Sequence, residues 1–381
     1  MKSEEVERLA QQVRDHQCPD PAPLLAENAA LKARLAELEA KTGGGGGAGG
    51  STGDGGGGGG APAMIKSYAG GPLRAHCVAK LAHKGAGSVC ALAVVEGVGL
   101  ISGGDNFICV WAQGADRGLK SIEGRARGIA PLPGGRFATA NGETNIVEVW
   151  DAGTGQRLYE RRHWLYFRCV GALPGGLLAS GTSDMEVHIS NADTNAHAAT
   201  LKGHTDEVRA LAALPDGRLA SGSDDNTIRL WNVATRACTQ VLQHPNSVYA
   251  LAVLDGGLLA SGCLDNRIHI WSLAGGVEVA VLDGHTGTVG TLAALPHGLL
   301  ASGSYDKTVR VWDVGARACV AVLEGHGGNV RALAALSDGR LASGSWYDPL
   351  IRVWALTAPG SPEDAAAAAE AAHGVTVAAA P

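Results

Sequence analysis

Four times in this chain a histidine, a serine and an aspartate recur at nearly fixed offsets ahead of a tryptophan. The sets are His204, Ser221, Asp225 and Trp231; His244, Ser261, Asp265 and Trp271; His285, Ser302, Asp306 and Trp312; and His326, Ser343, Asp348 and Trp354. Serine, histidine and aspartate are the residue types of nucleophilic catalysis, in which the imidazole takes the hydroxyl proton and the carboxylate orients the imidazole. Repetition argues against that chemistry here. One reaction needs one site, whereas these sets return with the period of the chain. A buried imidazole or indole without a partner costs ~1–3 kcal/mol, so the sets read as structural units, one per repeat.

The elements that carry them are short. From Leu201 to Gln240, apolar runs alternate with turn signals such as Pro215-Asp216-Gly217, which predicts three or four strands. The tryptophan recurs at Trp111, Trp150, Trp231, Trp271, Trp312 and Trp354, and Ser190 stands in its place in the one wide gap. Seven copies, about forty residues apart, fill residues 78 to 356. Three are degenerate. The first holds His83, Ser102, Asp105 and Trp111; the second has Arg125, Thr139 and Glu143 near the His, Ser and Asp places; the third keeps His163, Ser180 and Asp184.

A period near forty with a Gly-His and a closing Trp-Asp-like dipeptide resembles the WD-repeat family of β-propellers. The resemblance implies an all-β, seven-bladed propeller. It also implies that each set is a buried relay in which His bridges Ser and Asp and Ser reaches the indole N–H. In that family an N-terminal strand completes the final blade. Leu73 to Lys80, LRAHCVAK, resembles the outer strand ARACVAVL of a later repeat, and the last copy stops at Trp354, so the two are expected to pair. Closure removes exposed sheet edges.

If the relays are scaffold, function lies on loop positions. In the resembled family the residue after the first strand's opening Val lies on the narrow top face. That slot holds Cys90, Arg127, Arg168, Arg209, Tyr249, Gly290 and Arg331. The companion slot two residues earlier holds Ser88, Arg125, Tyr166, Glu207, Ser247, Thr288 and Asn329. The residue before the turn Asp gives Asp224, Leu264, Tyr305 and Tyr347, with Trp346 as the insertion. Arginine and tyrosine are enriched at binding hot spots, and an arginine fork suits carboxylate or phosphate. Arg127, Arg168, Arg209 and Arg331 with Tyr249, Tyr305, Tyr347 and Trp346 are therefore the expected protein-binding residues, and an acidic or phosphorylated protein segment the expected ligand. Glu207 and Asp224 lie within reach of Arg209.

Outside the repeats, residues 1–42 read as a helical, coiled-coil-like segment. Leu24, Leu31 and Leu38 fall at heptad d and Asn28 and Leu35 at a, with Glu27–Lys32 and Arg34–Glu39 paired by sign. This predicts a dimer seam, for a homodimer or a separate helical partner. Residues 43–72 form a Gly-rich linker, 73–357 the propeller, and 358–381 an Ala-rich tail expected to be disordered, although Ser361 and Gly374 mark a possible helix start and stop. A helical segment ahead of a seven-bladed ring is similar in plan to heterotrimeric G-protein β subunits; the glycine tether departs from that plan.

The chain has 381 residues, 45% hydrophobic, and a net charge of −6. That balance disfavours nucleic acid as a partner. No apolar run reaches the ~18 residues of a membrane span, and MKSEEVERLAQQ lacks a signal-peptide core, so a cytoplasmic or nuclear protein is expected. The eight cysteines (Cys18, Cys77, Cys90, Cys109, Cys169, Cys238, Cys263 and Cys319) lack Cys-x-x-Cys spacing and read mostly as small buried hydrophobes. No metal spacing, phosphate loop or cofactor motif is found. The leading expectation is a non-enzymatic interaction scaffold. A ubiquitin-ligase substrate adaptor or a G-protein-β-like signalling subunit is the alternative, and an enzyme the least favoured.

Overall fold

The computed structural model describes residues 70–84, 87–113, 115, 117–162, 166–373 and 375–378. The helical segment 1–42 with its seam (Leu24, Asn28, Leu31, Leu35, Leu38), nearly all of the linker, Cys18 and His163 lie outside the described residues. Seven antiparallel sheets, blades one to seven, span residues 89–123, 128–162, 167–202, 208–243, 248–282, 289–323 and 330–357. In blade four the strands are Val208–Ala213, Arg218–Ser223, Thr227–Asn232 and Ala237–Gln243, innermost to outermost in chain order, and blades one, two, three, five and six follow the same order. No described helix is long and apolar enough to cross a membrane.

Each blade buries one face against its neighbour, and the repeated tryptophan fills that seam. Trp231 packs with Leu219 on Val187, Ile189 and Leu201 of blade three. Trp312 does the same on Ile268 and Ile270 of blade five. The Gly of each Leu-Ala-Ser-Gly run marks the closest approach of two blades. A Cβ on Gly222 would come 2.5 Å from Val248 Cγ1, and one on Gly303 would come 2.6 Å from Val330 Cγ1. In blade three, where Ser190 replaces Trp, Tyr159 of blade two packs at the seam and its hydroxyl donates to the Ala192 carbonyl at 2.7 Å.

Strand Arg74–Ala82 closes the ring. It pairs antiparallel with Asp348–Thr357, from Arg74 opposite Thr357 to Ala82 opposite Leu350. Its Leu81 is fully buried with Val353 of blade seven and Val89 and Trp111 of blade one.

Two expectations need correction. The tail is not shapeless: Pro362–His373 forms a helix and Val375–Ala378 a strand parallel to Ala79–Ala82. Blade seven thus has five strands, and the closing strand is not its edge. A 12-residue Ala-rich helix is marginal alone; docking supplies what propensity cannot. Asp364, buried at the helix start, receives the Gly360 N–H (2.9 Å), the Thr357 hydroxyl (2.9 Å) and His76 Nε2 (2.7 Å), with Arg74 at 3.2 Å. Ser361 Oγ accepts the Asp364 N–H, and Ala367 is fully buried against the blade. The second correction concerns Cys238 and Cys319, which are exposed on outermost strands; Cys90, Cys109 and Cys263 are buried, and the seven described cysteines are all free thiols.

Deleting residues 1–69 is expected to leave a cooperatively melting, monodisperse ring domain. Deleting 1–82 is expected to cause aggregation on expression, because the strand Asp348–Thr357 loses its partner. Light scattering and thermal melts of the two truncations, compared side by side, check this.

Candidate functional site

Two groups of residues were candidates, the relays inside the blades and the slot residues on the top face. In blades four and six the relays form as the residues predict. His204 Nδ1 donates to Asp225 Oδ2 (2.8 Å), His204 Nε2 lies 2.6 Å from Ser221 Oγ, and Trp231 Nε1 donates to that oxygen at 2.8 Å. In blade six the corresponding distances at His285, Ser302, Asp306 and Trp312 are 2.7, 2.7 and 2.8 Å. Connectivity is that of a catalytic triad, but Ser221 and Ser302 are fully buried and hold the indole N–H, so no substrate reaches the hydroxyl. Burial alone would raise Asp225 and Asp306. The bonds from His204 and Thr227, and from His285 and Thr308, outweigh it and hold both carboxyls far below their ordinary value.

The other two sets depart from the expectation. In blade seven Arg352 Nη1 inserts between the partners, donating to His326 Nδ1 (2.9 Å) and Asp348 Oδ2 (2.6 Å), and leaves those two atoms 3.7 Å apart. In blade five His244 keeps Ser261 (2.9 Å), but its Nδ1 faces the Asn246 backbone. Asp265 turns to His269 (3.1 Å) and accepts the Cys263 thiol. His269 occupies the place of Arg229 and Arg310 in the adjacent blades, so the carboxylate has a closer partner than the relay histidine. Burial first, and then the neighbouring His269, pushes His244 down to about 4. Burial first, and then Asp265, pushes Cys263 up to about 12. In the degenerate blades, Trp150 donates to Thr139 Oγ1 (3.1 Å), and His83 Nδ1 meets the Lys84 carbonyl rather than Asp105.

On the top face, all seven slot residues converge. Cys90, Arg127, Arg168, Arg209, Tyr249, Gly290 and Arg331 line one cavity of about 150 Å³, with Gly142, Phe167 and Tyr305. A repeated irregularity aims them there. In six blades the register between first and second strands skips one residue, and the skipped residue is Cys90, Arg168, Arg209, Tyr249, Gly290 or Arg331. A β-bulge of this kind re-aims a side chain out of the ladder. At Gly290 the missing side chain admits the Tyr305 ring, whose Cε1 would sit 2.9 Å from an added Cβ.

The arginines differ in their neutralisation. Arg127 meets Glu143 Oε1 at 2.7 Å, and Arg125 shares that carboxylate. Arg168 meets Glu207 at 2.9 Å, and Arg209 meets both Glu207 (2.9 Å) and Asp224 (2.6 Å). The protein's own acids therefore take up much of the charge of this arc. Arg331 is different. Its guanidinium lies 3.9 Å from the Trp346 ring centroid and 4.8 Å from that of Tyr305, whose hydroxyl accepts from Nη2. Burial lowers its pKa, and no carboxylate pairs with it among the described residues. Trp346 rather than Tyr347 holds the place before the turn aspartate: its N–H bonds the Asn329 carbonyl just as Asp224 and Tyr305 bond Glu207 and Thr288. Tyr347 is the inserted residue, at positive φ, and it stands 86% exposed outside the cavity.

A ring of seven sheets, six of four strands and one of five, is a β-propeller; six of the blades carry an indole–hydroxyl bond, and all seven open a slot residue onto one channel. The family described as "WD domain, G-beta repeat" matches residues 196–232, 236–272, 276–313 and 317–355, and the chain belongs to the WD-repeat β-propeller family. Each matched stretch begins one residue before the outermost strand of one blade and ends on the third strand of the next, so every repeat ties two blades together. No curated protein matches the chain.

His285→Ala is expected to destabilise the propeller by about 1–3 kcal/mol, because Ser302 and Asp306 lose a buried partner; chemical denaturation measures it. The Asp306 carboxyl titrates lower in the folded state than in the unfolded chain. Its contribution is thus complete above pH about 4, the ordinary carboxylate value, and fades as the pH falls below it. Asp306→Asn should flatten that part of the stability–pH curve while leaving the slope from other carboxyls.

Proposed function

We propose that this protein is a non-enzymatic interaction scaffold whose top face receives an acidic or phosphorylated segment of a partner protein. WD-repeat propellers generally bind other proteins, which supports the scaffold reading; the ligand class rests on Arg331. A guanidinium held between two aromatic rings, away from water and without a carboxylate, gains most from an incoming anion. Trp346 and Tyr347 beside it supply the apolar rim that anchors flanking side chains, since buried aromatics and arginine dominate binding energy at interfaces. Arg127, Arg168 and Arg209 take a supporting role, because an arriving anion competes there with Glu143, Glu207 and Asp224. Tyr249 and Tyr305 line the channel floor.

An array of acidic and phosphorylated peptides, paired with neutral counterparts, tests this with the full chain. Arg331→Glu is expected to abolish the preference for the anionic member of each pair in a chain that still folds cooperatively, although it loses the two ring contacts. The triple change of Arg127, Arg168 and Arg209 to Glu should weaken binding and reduce its salt dependence. An anionic preference that survives Arg331→Glu overturns the reading.

A further inference from the structure

Blade five departs from its neighbours at two positions, and both departures introduce metal-ligating side chains beside the same aspartate. Two residues before the turn aspartate, Ser223 and Ser304 of blades four and six give way to Cys263. Four residues after it, Arg229 and Arg310 give way to His269. With the diverted His244, these make a buried group of two imidazoles and a thiol whose ligand atoms all lie within 4.8 Å of one another. Asp265 stands among them, accepting the Cys263 thiol on Oδ1 and 3.1 Å from His269 Nε2 on Oδ2.

The hydrogen bonds allow both imidazoles to turn a lone pair inward. Without a metal, His244 Nδ1 donates to the Asn246 carbonyl (3.0 Å) and the Ser261 hydroxyl donates to His244 Nε2 (2.9 Å) while accepting from Trp271 Nε1 (2.9 Å). Ser261 has a second acceptor, the His269 carbonyl at 3.3 Å, so its hydroxyl can turn there and take the His244 proton on Nε2, which frees the Nδ1 lone pair. His269 Nδ1 donates to Glu278 Oε2 at 2.7 Å, which leaves Nε2 as the ligating atom. A carboxylate on the far nitrogen is the outer-shell partner that orients metal-bound histidines.

We infer that blade five binds one zinc ion through Cys263 Sγ, His269 Nε2, His244 Nδ1 and the Asp265 carboxylate. Thiolate and imidazole ligands in a closed four-coordinate set select zinc among the common divalent ions. Binding displaces the Cys263 thiol proton and the Nε2 proton by which His269 meets Asp265 Oδ2, and two anionic ligands with two neutral imidazoles bring the ion and its shell to zero net charge. Asp265 is partly exposed and gives the ion its way in. Blade three offers Asp184, Glu186 and His188 at the related place, but that group has no thiol, Thr182 standing where Cys263 does, and carries no such inference.

The test uses the full chain stripped with a chelator and reloaded with Zn²⁺ or Co²⁺. One zinc per chain should remain after gel filtration and raise the melting temperature. Cobalt should give tetrahedral d–d bands with a thiolate charge-transfer band. Cys263→Ser and His269→Arg restore the residues of the neighbouring blades. Both should fold, retain no zinc at this stoichiometry and lose the thiolate band. Glu278→Gln should weaken zinc binding roughly tenfold. A parent protein that shows no thiolate–cobalt band, or zinc retained equally by Cys263→Ser and His269→Arg, overturns the inference.

Discussion

The antiparallel pairing of Arg74–Ala82 with Asp348–Thr357 is the contact on which the rest of the ring depends. Each blade buries its faces only against its two neighbours, so an open row of blades would leave an apolar face bare at either end. Closure supplies the missing neighbour. It seats Leu81 and Val353 on Val89 and Trp111, and it brings Cys90 of blade one and Arg331 of blade seven onto one channel. The bulges could aim their side chains inward on any open array, but only a closed ring makes them face each other.

Within a blade, one hydroxyl does the joining. Ser221, Ser261, Ser302 and Ser343 each take the indole N–H of the third strand and meet the histidine that precedes the first. The third partner, the aspartate, is where the blades diverge. A long cation four residues beyond it can leave the pair alone, as Arg229 does, or wedge between the partners, as Arg352 does. A shorter imidazole, His269, draws the carboxylate away. The fold tolerates these exchanges because the hydroxyl and indole, not the aspartate, fill the seam between blades.

The repeat, the closing strand and the slot positions were legible in the sequence because each is a local pattern copied several times. The bulge that turns Arg168 or Arg331 inward was not, since it leaves no mark on residue type. Nor was the exchange of roles between Trp346 and Tyr347: a one-residue insertion reads equally well in either order until the N–H bond to Asn329 decides it. The relay of blade five departs from the expectation because the pattern of recurring residues takes no account of His269, which draws Asp265 away. The helix of the tail is hidden in the sequence for a related reason. Alanine composition says how weak an isolated helix is, and nothing about a buried Asp364 tied to Arg74 and His76, nearly three hundred residues earlier.

The strand Val375–Ala378 changes how the closure would respond to tension. Arg74 lies opposite Thr357, so pulling on those two residues would peel the pairing from one end, breaking its bonds singly. Because Val375–Ala378 runs parallel to Ala79–Ala82, chain leaving at Ala378 exits beside Ala82, at the opposite end of the closing strand from Arg74. A load applied between Arg74 and Ala378 therefore acts along the strands in shear, where several bonds must yield together. The tail converts a zipper into a lap joint.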